Sequence, residues 1–118
     1  MLLDSNVIIY ITNDISLENK FLGNELYASI ATKIEVLGFH KISETEKERL
    51  GAFFDSVKII ELTETVANEA ISLRQKKNMS LGDAIIAATA LVHKLTLVTA
   101  NVDDFQWIKE LEIVNPLP

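Results

Sequence analysis

Several carboxylates in this sequence stand where water is scarce. Asp4 lies between Leu2-Leu3 and Val7-Ile8-Ile9, and Asp83 directly precedes the apolar run Ala84-Ile85-Ile86-Ala87-Ala88-Thr89-Ala90-Leu91-Val92. An ionised carboxylate in such surroundings needs a partner. Apart from Lys33, no Lys or Arg is expected on the helix faces near Asp4, Glu35 or Asp83, so a metal ion is the natural counter-charge. Carboxylate oxygens and water select hard cations, and Mg²⁺ or Mn²⁺ suits them better than Ca²⁺, for which a Gly-containing loop of acids is missing. Zinc is disfavoured, because only His40 and His93 could join such a site and they fall on different expected elements. Each acid also has a structural explanation: Asp4 as a helix cap, and Glu35 and Asp83 in capping boxes with Thr32 and Ser80.

The surrounding pattern places these acids at one edge. Leu2-Leu3 suggests a short buried strand followed by a helix capped by Asp4 or Ser5, and Leu26 to Ser29 a second strand followed by a helix from Thr32. Ser43 and Glu46 open a further helix carrying Leu50, Phe53 and Phe54 on one face, and Val57 to Ile60 is a β-branched strand. Thr63 to Lys77 has helical spacing at Val66, Ala70 and Leu73 and ends in Arg74, Lys76 and Lys77, which suit a helix C-terminus. The helix after Ser80 is apolar all round and therefore expected to be central. Thr96 to Val98 and Leu111 to Val114 complete the strands, with Pro116 and Pro118 ending the last one. Strands alternating with helices predict an α/β fold with right-handed crossovers and a mostly parallel sheet covered on both faces. In such sheets ligands bind beyond the carboxyl ends of the strands. Asp4, Asp103 and Asp104 follow strands, while Glu35 and Asp83 lie in the first turns of helices packed on the sheet.

At 118 residues the chain is expected to be one domain. The absence of cysteine excludes disulfides, zinc–thiolate sites and a cysteine nucleophile. The Met1-Leu2-Leu3-Asp4 start lacks a basic segment, and no apolar run approaches the roughly 18 residues of a membrane span, so a soluble, cytoplasmic protein without membrane contact is expected. The net charge of −6 opposes binding to nucleic acid unless the carboxylates are gathered around cations where a phosphate must approach. No P-loop, GxGxxG or GxSxG motif is present.

Four segments together resemble the PIN-domain family, and within it the small bacterial VapC-type toxins. They are Leu2 to Tyr10, Ala28 to Leu37, Leu81 to Ala90 and Leu97 to Phe105, and the resemblance spans nearly the whole chain. It implies a three-layer PIN-like fold over residues 1–118 and a Mg²⁺- or Mn²⁺-dependent endoribonuclease leaving 5′-phosphate and 3′-hydroxyl ends. Asp4, Glu35 and Asp83 would be metal ligands, with polar support from Ser5, Asn6, Thr32, Thr99 and Asn101. Many relatives carry Asp where this chain has Asn101, which leaves the fourth charge to Asp104 ahead of Asp103. Arg74, Lys76 and Lys77 are candidates for RNA phosphates, although a helix C-terminus explains them equally; Phe105 and Trp107 fit core packing better than base stacking. The implied partners are RNA, a small antitoxin whose C-terminal segment covers the acidic groove, and a second copy in a homodimer held by helices. The alternatives are a non-catalytic PIN-like binding module and another Mg-dependent phosphoryl-transfer α/β protein; an aspartyl-phosphate enzyme fits poorly with Asp4-Ser5-Asn6.

Overall fold

A computed structural model describes residues 1–117, so the expectation placed on Pro118 lies outside the described residues. In chain order the elements are β1 (Leu2–Leu3), α1 (Ser5–Asn13), α2 (Ile15–Asn19), β2 (Tyr27–Ser29), α3 (Ile30–Leu37) and α4 (Glu44–Ser56). There follow β3 (Lys58–Ile60), α5 (Glu64–Lys76), α6 (Leu81–His93), β4 (Leu97–Val98), α7 (Val102–Phe105) and β5 (Ile113–Val114). The five strands form one sheet in the order β3-β2-β1-β4-β5, and every pairing is parallel.

Alternation along the strands divides the core into two layers. Leu2 and Leu97 share a layer with Val66, Ala70 and Leu73 of α5, Ala84 and Ala87 of α6, and Phe105 of α7, all buried. Leu3 and Val98, one residue further along each strand, face Val7, Ile8, Val36, Leu50 and Phe54 from α1, α3 and α4. Each side chain of the central strands β1 and β4 is thus covered by helices, as a parallel sheet requires. The α6 helix is buried from Ala84 through Ala90, in keeping with its all-round apolar character.

The order of the strands reverses direction at the centre: the chain leaves β1 for β2 and β3 on one side, then returns to β4 and β5 on the other. The crevice between β1 and β4, beyond their carboxyl ends, is the topological switch point where such sheets bind ligands. Thr63 and Ser80 cap α5 and α6 through their hydroxyls, and Ser43 with Glu46 makes the full capping box expected for α4.

Three local expectations need correction. The α3 helix starts at Ile30, not Thr32, because the Ser29 hydroxyl at the end of β2 accepts from the Thr32 amide at 3.0 Å. Thr32 and Glu35 therefore form no capping box, and the Glu35 carboxylate is left for other work. Ser80 and Asp83 complete only half of theirs: the Asp83 amide donates to the Ser80 hydroxyl at 3.1 Å, without the reciprocal bond. The five-residue α2, capped by Asp14 through the Ser16 amide, was not anticipated.

Candidate active site

Asp4 follows β1 directly and serves as the N-cap of α1, its Oδ1 accepting the Ser5 amide at 2.7 Å. Its Oδ2 accepts the Thr99 hydroxyl, also at 2.7 Å. Thr99 follows β4, so this bond closes the switch point across two adjacent strands. Both residues are buried, Asp4 at 8% exposure and Thr99 at 0%. The Thr99 hydroxyl in turn accepts the Asn101 amide at 3.0 Å. Asn101 therefore supports Asp4 through its backbone, while its exposed side chain makes no capping bond to α7.

Glu35 reaches from α3 to the first turn of α6. A Cβ placed on Gly82 would lie 3.1 Å from Glu35 Oε1 and 3.4 Å from Oε2, so the carboxylate rests against the glycine. Gly82 was missed in the sequence, although a glycine in the first turn of an apolar helix signals close approach by another group. Burial raises the pKa of Glu35 above the ordinary carboxylate range, and the charges of Asp4 and Asp83 add to the shift. Asp83 is raised in the same way, first by burial and then by Asp4; a hydrogen bond with Ser80 opposes the shift, and the charge of Asp104 adds the smallest part.

Four acids from β1, α3, α6 and α7 are thereby linked: Asp4 acts on Glu35 and Asp83, and Asp104 acts on Asp83. Asp103 has no part in that coupling and instead accepts a long 3.4 Å bond from Gln106. Among the described residues no three His, Asp or Glu side chains converge closely enough to enclose a bare metal ion. The only ion pair among the described residues joins Lys58 to Glu25, far along the sheet edge, so no protein cation neutralises the four acids by contact. Their hard oxygen donors, with the raised pKa values of Glu35 and Asp83, suit a divalent cation that keeps part of its water shell.

The remaining candidates divide. Ser5 and Glu35 line one cavity together with Ile9, Phe39 and Arg49, and Thr32 is buried where it accepts the Ser29 hydroxyl at 3.0 Å. Asn6 is exposed on α1. Arg74 and Lys77 line a cavity with Asp83 and Asp104, whereas Lys76 lines a different one. The expectation that only Lys33 stands near the acids thus fails twice: the last turn and C-cap of α5 bring Arg74 and Lys77 beside Asp83, and α4 brings Arg49 beside Glu35. Phe105 is wholly buried, and Trp107 is partly buried and donates its indole N–H to the Asp104 carbonyl at 3.2 Å.

This sheet order and acid-bearing switch point define an α/β fold of the PIN type. Residues 1–111 match the PIN domain, and the chain belongs to that family, whose members are generally nucleases. Among solved structures, it is similar to a toxin–antitoxin complex from Klebsiella pneumoniae, with 29% identity and a TM-score of 0.82 over 98% of this chain and 97% of that one. VapBC2 from Rickettsia felis, bound to a DNA fragment from its promoter, is similar at 24% identity and a TM-score of 0.83, covering 97% and 96% of the two chains. FitAcB from Neisseria gonorrhoeae matches at 25% identity and a TM-score of 0.77, covering 98% and 96%. No curated protein matches the sequence. Among the described residues no helix is long and apolar enough to cross a membrane.

Proposed function

We propose that this chain is a Mg²⁺- or Mn²⁺-dependent endoribonuclease, formed as one PIN domain over residues 1–118, and the toxin of a VapBC-type pair in the cytoplasm. The observation that carries the chemistry is the group of four coupled, unneutralised carboxylates around the Asp4–Thr99 bond. Such a group repels a phosphodiester unless cations intervene.

Asp4 and Asp83 would hold the principal ion, directly or through its waters, and Asp104 would complete the shell. A bound divalent ion supplies an acidified water and neutralises charge on the phosphate as it is attacked. Thr99 keeps Asp4 Oδ2 pointed into the crevice, and the α1 amide of Ser5 holds Oδ1. Glu35, with its carboxylate against Gly82 and its pKa raised, orients the attacking water and can take up its proton. In-line attack by that water forms a new P–O bond as the bond to the 3′ oxygen breaks, and the 3′ oxygen takes a proton from solvent, leaving 5′-phosphate and 3′-hydroxyl ends.

Purified protein with Mn²⁺ is expected to cleave RNA and to stop in EDTA, with the ends read by sequencing. Cleavage that survives full chelation excludes this mechanism. The toxin assignment is supported by similarity to a solved toxin–antitoxin complex. Production of the chain alone is expected to arrest bacterial growth, and co-production of a small partner encoded beside it to relieve the arrest; harmless overproduction of folded protein would defeat the assignment. A covering antitoxin segment has a place to dock in the cavity of about 270 Å³ beside Glu35, lined by Ile9, Phe39 and Arg49. A homodimer held by helices is part of the same reading.

A further inference from the structure

The cavity beside Asp83 is lined by both signs of charge. Its volume is about 440 Å³, and Asp83, Asp103 and Asp104 share it with Arg74 and Lys77. Opposite charges in one cavity ordinarily close into salt bridges, yet none forms here among the described residues. Other contacts hold the cations back. Arg74 Nε donates to the Met79 carbonyl at 3.3 Å, which fixes the guanidinium by one nitrogen and leaves its two terminal nitrogens out of that bond. Lys77 Nζ stands 5.6 Å from the centre of the Trp107 ring, and the same indole is tied to the Asp104 backbone at 3.2 Å. The cations are therefore positioned relative to the acids without being consumed by them.

We propose that Arg74 and Lys77 form a phosphate subsite that receives a linkage of the RNA strand adjoining the one held at the acids. The inference rests on the nuclease reading and gives the strand a path, from the carboxylates to the cations that share their cavity. A guanidinium with two terminal nitrogens available matches a phosphate by paired hydrogen bonds, while an ammonium adds a point charge. In a chain of net charge −6, two cations beside the acids give a polyanion a local point of attraction at this mouth. Lys76, one position before Lys77, lines the separate cavity formed with Glu69, Leu73 and Trp107 and lies outside the subsite.

The test compares wild type, the Arg74→Ala/Lys77→Ala double variant, the charge-keeping Arg74→Lys/Lys77→Arg variant, and Lys76→Ala. Cleavage of a fluorescein-labelled single-stranded RNA of mixed sequence is followed in Mn²⁺ over a series of salt concentrations, and its binding by anisotropy with Ca²⁺ in place of Mn²⁺. The double alanine variant should raise KM about tenfold with little change in kcat, and flatten the dependence of log KM on log salt by about 0.7 per charge removed. The charge-keeping variant should restore the slope, and Lys76→Ala should leave it as in wild type. An unchanged slope in a folded, cleaving double variant overturns the subsite and leaves the nuclease reading standing. A slope lost equally in Lys76→Ala also overturns it, since diffuse charge would then suffice. Wild type that neither binds nor cleaves RNA overturns both readings together.

Discussion

Asp83→Asn is expected to lower RNA cleavage by more than about a hundredfold while melting in EDTA at the same temperature as wild type or a few degrees above it. The loss of activity follows from removing a charged oxygen from the group that would hold the ion. The stability result follows from the sign of the electrostatics. Burial, Asp4 and Asp104 all disfavour the ionised form of Asp83 in the folded chain, so the folded protein keeps this proton to higher pH than the unfolded one. Metal-free stability should therefore fall as pH rises from the unfolded carboxyl pKa of about 3.9 through the raised folded value, and then level off. Asparagine has no such proton and should flatten that part of the profile. Against the relief stands the loss of a carboxylate in the first turn of α6, where the helix dipole and Ser80 favour it. That interaction contributes about 0.3–1 kcal/mol, and the repulsions, screened because the cavity is open to solvent, are of similar size.

Metal separates the two roles of Asp83 further. Wild type should gain stability as the logarithm of Mn²⁺ concentration above the dissociation constant, and the variant should lose most of that gain. Melting curves in EDTA and in excess Mn²⁺, each across pH 4 to 8, measure both effects. A variant that is clearly less stable in EDTA, yet responds to Mn²⁺ as wild type does, would make Asp83 a helix cap and remove it from the site.

The parts of this fold that were legible in the sequence are those carried by local chemistry. The Ser43–Glu46 box and the repeats of Val66, Ala70 and Leu73 each specify a helix within a few residues, and the structure has both. The apolar stretch after Asp83 is long enough to demand burial whatever its neighbours are. The start of α3 failed because two hydroxyls, Ser29 and Thr32, compete for one cap at adjoining turns. The parallel strand β2 ends at Ser29 and hands the cap to it, a tertiary fact absent from the local pattern. Strands of two residues, such as β1 and β4, are too short to display alternation, so the opposite facing of Leu2 and Leu3 could not be seen. At the site, the residue types were visible but their couplings were not. The contact of Glu35 with Gly82 and the meeting of Arg74 and Lys77 with Asp83 are products of helix packing between distant segments. The bond from Thr99 to Asp4 spans 95 positions of sequence.

That last bond supports the opposite prediction from Asp83. Thr99→Val is nearly isosteric, keeps the wall of the crevice filled, and removes both functions of a fully buried hydroxyl. Asp4 Oδ2 loses its donor and the Asn101 amide loses its acceptor. A hydrogen bond to a buried carboxylate contributes about 1.5–3 kcal/mol, and leaving the carboxylate without it exposes the full desolvation cost. Thr99→Val should thus be destabilised by about that much in EDTA, where Asp83→Asn is not. Cleavage should fall roughly 10- to 100-fold, the range for a residue that orients a ligand without itself being one. Thr99→Ser keeps the hydroxyl and should recover most of both losses, since only a methyl is missing. In an Asp4→Asn background the cost of Thr99→Val should shrink, because the charge that made the bond strong is gone; the difference between the two costs measures the coupling directly. Urea melts in EDTA of wild type, Thr99→Val, Thr99→Ser, Asp4→Asn and the Asp4→Asn/Thr99→Val double variant, with initial rates of RNA cleavage in Mn²⁺ for wild type and the Thr99 variants, give every quantity needed. If Thr99→Val matches Thr99→Ser in both stability and rate, the hydroxyl does not hold Asp4, and the crevice between β1 and β4 is oriented by the α1 cap alone.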